Sequence, residues 1–240
     1  MLSDLLSGQF DQTTIIELIA HVAVILLILP LHEMAHAWAA YKLGDDTASI
    51  QGRMTLNPIA HIDPIGALLL LFTGYGWAKP VPVNPLRFNR KHSMRFGMAV
   101  TAIAGPLSNL IAAFIGMVIF RFFLCSGTFL SGWVAYFENE ESSLNVAVII
   151  FYFLRFFISV NIGLALFNLI PVPPLDGSKV IGYFTSAKVD RWFRENQQIV
   201  SIIFLVILFS GLLMKPLGFL NGKIWDFMFW STNWIPKVMG

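Results

Sequence analysis

Four stretches of this chain, at about residues 14–41, 94–124, 145–170 and 199–214, run apolar with few charged side chains. A helix that crosses a bilayer needs about 20 such residues, and one that is apolar on all sides cannot lie on the surface of a soluble domain. The first three stretches reach that length; the fourth is at the short end. The whole chain is 56% hydrophobic and 12% charged, where a soluble domain carries about 45–50% and about 25%. The expected fold is therefore an all-α polytopic membrane protein, which excludes a soluble globule, a disordered chain and a collagen-like one. A net charge of +2 gives no reason to expect nucleic acid as a partner. The single Cys125 excludes an intramolecular disulfide and a cysteine-based zinc site.

The first stretch does not read as a cleavable signal peptide, because no Lys or Arg precedes it and no small-residue cleavage pattern follows it. Gly66–Thr73 is apolar but too short to cross, so a strand or re-entrant piece is expected on the inner side. The tail 216–235 carries Trp225, Trp230 and Trp234 among polar residues and suits an interfacial helix or a marginal fifth span. Residues 1–20 hold no Lys or Arg, segment 42–98 holds seven and segment 171–197 holds four. By the positive-inside rule the N-terminus lies outside, the first span runs inward, and the lysines of the tail fall on the outer side against the rule. Residues 1–240 read as one integral membrane domain in the cell membrane. Arg121, near the outer end of the second span, is expected to snorkel to headgroups. Arg155, deeper in the third, requires a partner or a wet face.

The inner half of the first span contains His32-Glu33-Met34-Ala35-His36. Residues four apart share a helical face, so His32 and His36 can reach one metal ion, and two imidazoles suit tetrahedral zinc. Glu33 lies beside them, placed to take a proton from an attacking water. Each ionisable group in a span costs about 2.5–3.5 kcal/mol if charged and unpaired at the helix centre, so a cluster of three is hard to explain as packing.

A hydrolytic zinc takes three protein ligands and keeps one position open. The third span ends Asn168-Leu169-Ile170-Pro171-Val172-Pro173-Pro174-Leu175-Asp176-Gly177, where three prolines break the helix at membrane depth. Asp176 there is either the third ligand or the cap of a following helix. Asp63 and His61, in the inner loop, are its rivals. The Asn168 amide could donate to an oxyanion or make an interhelical hydrogen bond. Gly97, Gly105, Ser108 and Asn109 are small or polar and suit close helix packing, and Asn109 is a further candidate for contact with the site.

At these residues the sequence resembles the site-2 proteases, intramembrane zinc metalloproteases of peptidase family M50. Three motifs carry the resemblance: His32–His36, Asn168–Gly177, and Ala104-Gly105-Pro106-Leu107-Ser108-Asn109. It implies a core of three helices plus additional helices, one Zn2+ per chain held by His32, His36 and Asp176, and catalysis by Glu33 with Asn168 positioning substrate or oxyanion. Segments 52–64 and 76–84 are similar to a compact prokaryotic branch, and neither a PDZ insertion nor a soluble regulatory domain is expected. No role for His61 or Asp63 carries over; His61 and Asn109 stay as weak candidates for substrate contact.

Hydrolysis needs water, so the site must sit near one face of the bilayer, here the cytoplasmic one. The expected function is endoproteolysis in or near transmembrane segments, with membrane proteins or signal-peptide remnants as substrates and the lipid bilayer as surroundings. Segments 52–58 and 66–85 could offer an edge strand to an unwound substrate. Two other readings remain. A catalytically silent binder of membrane segments would not need Glu33. A metal or ion transporter would show a second broken segment matching 171–174.

Overall fold

The structure, a computed structural model, describes residues 12–66, 78–127, 129, 131 and 146–239. The first apolar stretch forms α1 (Gln12–Lys42), which continues unbroken through Pro30. The next connection contains a short α2 (Thr47–Ile50) and two 3-10 turns at Pro58–Ala60 and Pro85–Arg87. Then come α3 (Met94–Cys125), α4 (Val146–Asn168), α5 (Asp176–Phe184), α6 (Ala187–Glu195), α7 (Gln197–Phe209), α8 (Met214–Ser231) and α9 (Ile235–Met239). Three of the described helices are long and apolar enough to cross a membrane: Val22–Lys42 within α1, α3 and α4. The chain is a multi-pass, all-α membrane protein.

Helices α1, α3 and α4 pack on one another, with α3 in the middle. Small residues permit the close approach. At Gly116 of α3 a Cβ would lie 3.0 Å from the Phe157 ring and 3.1 Å from Ile158 of α4. In lipid, where apolar side chains have no water to flee, such packing and interhelical hydrogen bonds hold the helices together. Ala113, Met117 and Phe120 of α3, Leu154, Ile158 and Ile162 of α4 and Met228 of α8 form the buried core.

The C-terminal part departs from expectation. Helix α7 has 13 residues and is about 20 Å long, too short to span alone. It passes the test for a span only together with α8, and the two are bent by 76° at Gly211, which takes a positive φ. Nor is the tail merely interfacial. Helix α8 packs on α4 and α3, Met228 is buried, and α9 packs on α3 with Ile235 fully buried. Arg121 accounts for part of this. It does not snorkel: its guanidinium is buried, donates to Asn233 Oδ1 at 3.0 Å and lies 4.1 Å over the Phe229 ring. The tail supplies the partners that make burial of the charge tolerable.

No strand forms among the described residues, so the expected β element is not seen there; most of Gly66–Thr73 lies outside them. Segment 78–84 is irregular and is tied down from several sides. Arg53 donates to the Lys79 and Pro80 carbonyls at 2.6 and 3.2 Å. The Lys79 N–H bonds the His61 carbonyl at 2.8 Å, and the Asn84 N–H bonds the buried Asp45 carboxylate at 2.6 Å.

Candidate metal centre

His32 and His36 lie in the last third of α1, about 12 Å of helix before it ends at Lys42. They turn towards α3 at Gly105, where a Cβ would lie 2.7 Å from His32 Cε1 and closer still to the His36 ring. Only a glycine leaves room for two imidazoles against the α3 backbone.

Asp176 comes from the other side. After α4 the segment holding Pro171, Pro173 and Pro174 carries no continuing helix, and the chain re-enters helix at Asp176. Gly177 sits so close under the Leu169 and Ile170 carbonyls that no side chain would fit. This folds the start of α5 back against the end of α4. Asp176 is not the cap, a place taken by Leu175; it stands in the first turn, where the helix dipole favours an anion. The three groups thus converge. Asp176 Oδ2 is 3.2 Å from His32 Nε2 and 3.0 Å from His36 Nε2, and the two Nε2 atoms are 3.0 Å apart. Residue exposures of 5%, 7% and 7% for His32, His36 and Asp176 leave the cluster little water.

The outer hydrogen bonds decide what the inner atoms can do. His36 Nδ1 is 2.7 Å from the Thr101 carbonyl, an obligate acceptor, so it carries the proton and Nε2 presents a lone pair. For His32 the direction is set by a longer relay. The Phe157 carbonyl accepts from Asn161 Nδ2 at 2.9 Å, Asn161 Oδ1 accepts from Asn109 Nδ2 at 2.9 Å, and Asn109 Oδ1 accepts from His32 Nδ1 at 2.6 Å. Each link fixes the next, and His32 Nε2 is again left as an acceptor. Two lone pairs and a carboxylate oxygen facing one point repel unless a cation stands among them. Their spacing of 3.0–3.2 Å is close to the about 3.3 Å that separates ligands around tetrahedral zinc. The residues therefore fit the metal.

Glu33 is 9% exposed and stands next to this cluster. Its Oε2 accepts from the Val81 N–H at 2.8 Å, so the tied segment 78–84 orients it. Cluster, Glu33 and Val81 open into a cavity of about 1510 Å³ that extends along α4, α7 and α8. Asn168 lines the same cavity but donates one N–H to the Leu164 carbonyl of its own helix at 3.0 Å. Lys179 also lines it, 3.5 Å from Asp176 Oδ1.

The remaining candidates lie elsewhere. Asn109 is fully buried between His32 and Asn161 and does not line the cavity. His61 is 1% exposed, bonds the Thr55 carbonyl through Nε2 at 2.8 Å and does not line the cavity either. Asp63 Oδ1 accepts from the Ile65 and Gly66 N–H groups at 3.1 and 2.8 Å, as a turn cap. Sequence reasoning missed Asn161 and Thr101, and read Val81 as part of an edge strand and not as the partner of Glu33. Asn161 could have been found, since a lone Asn deep in an apolar span needs a partner. The other two act through backbone groups, which any residue type supplies.

Two imidazoles and a glutamate on a helix of membrane length, joined by a carboxylate from the start of the short α5, are the donor set of a zinc metalloprotease, a hydrolase with zinc as its cofactor. The chain belongs to peptidase family M50, whose family pattern matches residues 20–211. It is 42% identical over 197 residues to YwhC of Bacillus subtilis, named as a zinc metalloprotease, covering 82% of this chain and 81% of that one. It is 25% identical over 207 residues to Rip2 of Mycobacterium tuberculosis H37Rv, also named as a zinc metalloprotease, covering 85% of this chain and 70% of the relative. No solved structure matches it.

Proposed function

We propose that this metalloprotease acts as an intramembrane endopeptidase on transmembrane segments of membrane proteins or signal-peptide remnants. One observation carries the reading: His32 and His36 on a membrane-length helix and Asp176, just beyond the end of another, converge and open into a largely apolar cavity. In this reading residues 1–240 work as one membrane domain, with the N-terminus outside and the site toward the cytoplasm. The Lys and Arg residues that flank the inner ends of α1 and α4 support that orientation. A site about 12 Å from the end of α1 is near enough to an interface, in a hydrocarbon core about 30 Å thick, for water to reach it.

His32, His36 and Asp176 hold one zinc ion per chain. Bound there, the ion would supply Lewis-acid chemistry, polarising a scissile carbonyl and making water a better nucleophile at neutral pH. Glu33 takes a proton from the attacking water and returns it to the leaving amine. The Val81 N–H occupies Oε2 and leaves Oε1 for that transfer. Asn168 keeps one amide N–H beyond its bond to Leu164, and this N–H steadies the oxyanion. Lys179, paired with Asp176 Oδ1, holds the carboxylate in position.

The test is zinc content and cleavage of single-span substrates by protein reconstituted in vesicles. Wild type should hold about one zinc per chain and cleave. Glu33→Gln should keep the zinc and lose cleavage by about 10²-fold or more. Asp176→Ala should lose both. Full zinc in Asp176→Ala would move the third ligand elsewhere, and a zinc-loaded wild type that cleaves no membrane segment would overturn the intramembrane reading.

A further inference from the structure

The cavity that begins at the metal centre does not end there. It continues along one face of α4, past Asn168, Leu164, Val160 and Ser159 to Arg155. Thirteen helical residues separate Arg155 from Asn168, which is about 20 Å along the axis. Glycines keep this channel wide: Gly163 of α4 and Gly218 and Gly222 of α8 all line it, and a Cβ at either α8 position would meet nothing within 4 Å. Its far floor is aromatic, with Phe120 in ring contact with both Phe151 and Trp225.

The charges along this channel are unevenly placed. Glu33, Asp176 and Lys179 crowd the metal end together with the two imidazoles. Among the described lining residues, Arg155 is the one charged group at the far end. It has no carboxylate partner among the described residues; Ser159, one turn on, lines the same cavity, as does Asn221, whose amide bonds the Ser159 carbonyl at 2.9 Å. Arg121, by contrast, is held by a hydrogen bond to Asn233 and a cation–π contact with Phe229. A guanidinium that lines this cavity beside an aromatic floor, exposed and with no carboxylate partner among the described residues, is a site for an anion that arrives with the ligand.

We propose that Arg155 is a specificity residue that binds a carboxylate carried by the substrate segment, about 20 Å from the scissile bond. The carboxylate is either the free C-terminus of the segment or an Asp or Glu side chain about 13 helical residues from the cleaved end. Arg155 thereby sets how far into the channel a segment slides and which peptide bond meets Glu33. This rests on the intramembrane reading above.

The test uses zinc-loaded, full-length protein in phosphatidylcholine vesicles, with Glu33→Gln to hold substrates uncleaved. The probes are synthetic Leu/Ala peptides of about 20 residues bearing a photocrosslinker. They end in a free acid or in an amide, with or without Glu or Lys about 13 residues from the helix-breaking end. Protein with Arg155 should capture an anionic peptide about tenfold better than the neutral one. Arg155→Gln should capture both alike and weakly, while keeping full zinc as evidence of folding. Arg155→Glu should invert the preference towards the Lys peptide, and Arg155→Lys should keep much of the original one. Dependence on the terminal acid alone, or on internal Glu alone, identifies the source of the carboxylate. Retention of the anion preference in Arg155→Gln would overturn the proposal. So would dependence on added phosphatidylglycerol instead of on the peptide. Charge-selective capture with no cleavage of any peptide by Glu33-intact protein would uphold the proposal and overturn the endopeptidase reading.

Discussion

Asn109 Oδ1 stands 2.6 Å from His32 Nδ1, and the same amide donates to Asn161 Oδ1 at 2.9 Å. A backbone carbonyl on α4 thereby sets which nitrogen of a histidine on α1 faces His36 and Asp176. The relay crosses the three packed helices, so helix packing and metal affinity are properties of one network.

Asn161 touches no metal ligand, yet its replacement should weaken zinc binding. Asn161→Leu removes the acceptor of Asn109 Nδ2 and frees the Asn109 amide to flip, which offers His32 a donor where it needs an acceptor. Loss of such outer partners typically costs 10–100-fold in metal affinity. Zinc competition with a chelator should show a drop of about tenfold for Asn161→Leu and a larger one for Asn109→Leu. Unchanged affinity in both would mean that the relay does not orient His32.

Gly105→Ala should strip zinc through sterics alone. Its Cβ would overlap both imidazole rings, whereas the Cβ of Gly222→Ala meets nothing within 4 Å. Metal analysis of the two purified proteins should give little zinc in the first and a full complement in the second. Equal zinc would show that α3 can move away from α1 at little cost.

Arg53→Ala should impair turnover while leaving zinc in place. Arg53 holds the Lys79 and Pro80 carbonyls, and the next residue supplies the N–H that orients Glu33. Small misplacements of a catalytic group cost up to about 10²-fold. A fall in kcat of about tenfold, with normal zinc content and partial recovery in Arg53→Lys, is expected. A normal kcat would detach the 78–84 segment from catalysis.

Arg121→Leu should loosen the C-terminal helices without disturbing the metal centre. The guanidinium bonds Asn233 and covers Phe229, and it lies about 24 Å of helix from Gly105. Losing a desolvated cation–π contact and a hydrogen bond should cost about 1–3 kcal/mol. Thermal unfolding in detergent should shift down, with zinc content unchanged until the transition. An unshifted transition would mean that the tail is held by apolar packing alone.

The sequence by itself determined the membrane class, because apolar runs of spanning length are a local property that composition reports directly. It also determined the His32–Glu33–His36 face, since i and i+4 share a side of any helix, and it marked the broken helix end at Asp176 through its prolines. Whether Asp176 capped a helix or joined the histidines depended on how closely Gly177 folds back beneath α4, a contact of the tertiary structure. The same holds for the relay through Asn161, the hold of Val81 on Glu33 and the partners of Arg121. Each joins segments far apart in the chain, often through a backbone group that no side-chain pattern announces. The bent α7–α8 pair escaped for a related reason: a stretch just short of spanning length is settled by what packs against it, here α4 and α3, and not by its own hydropathy.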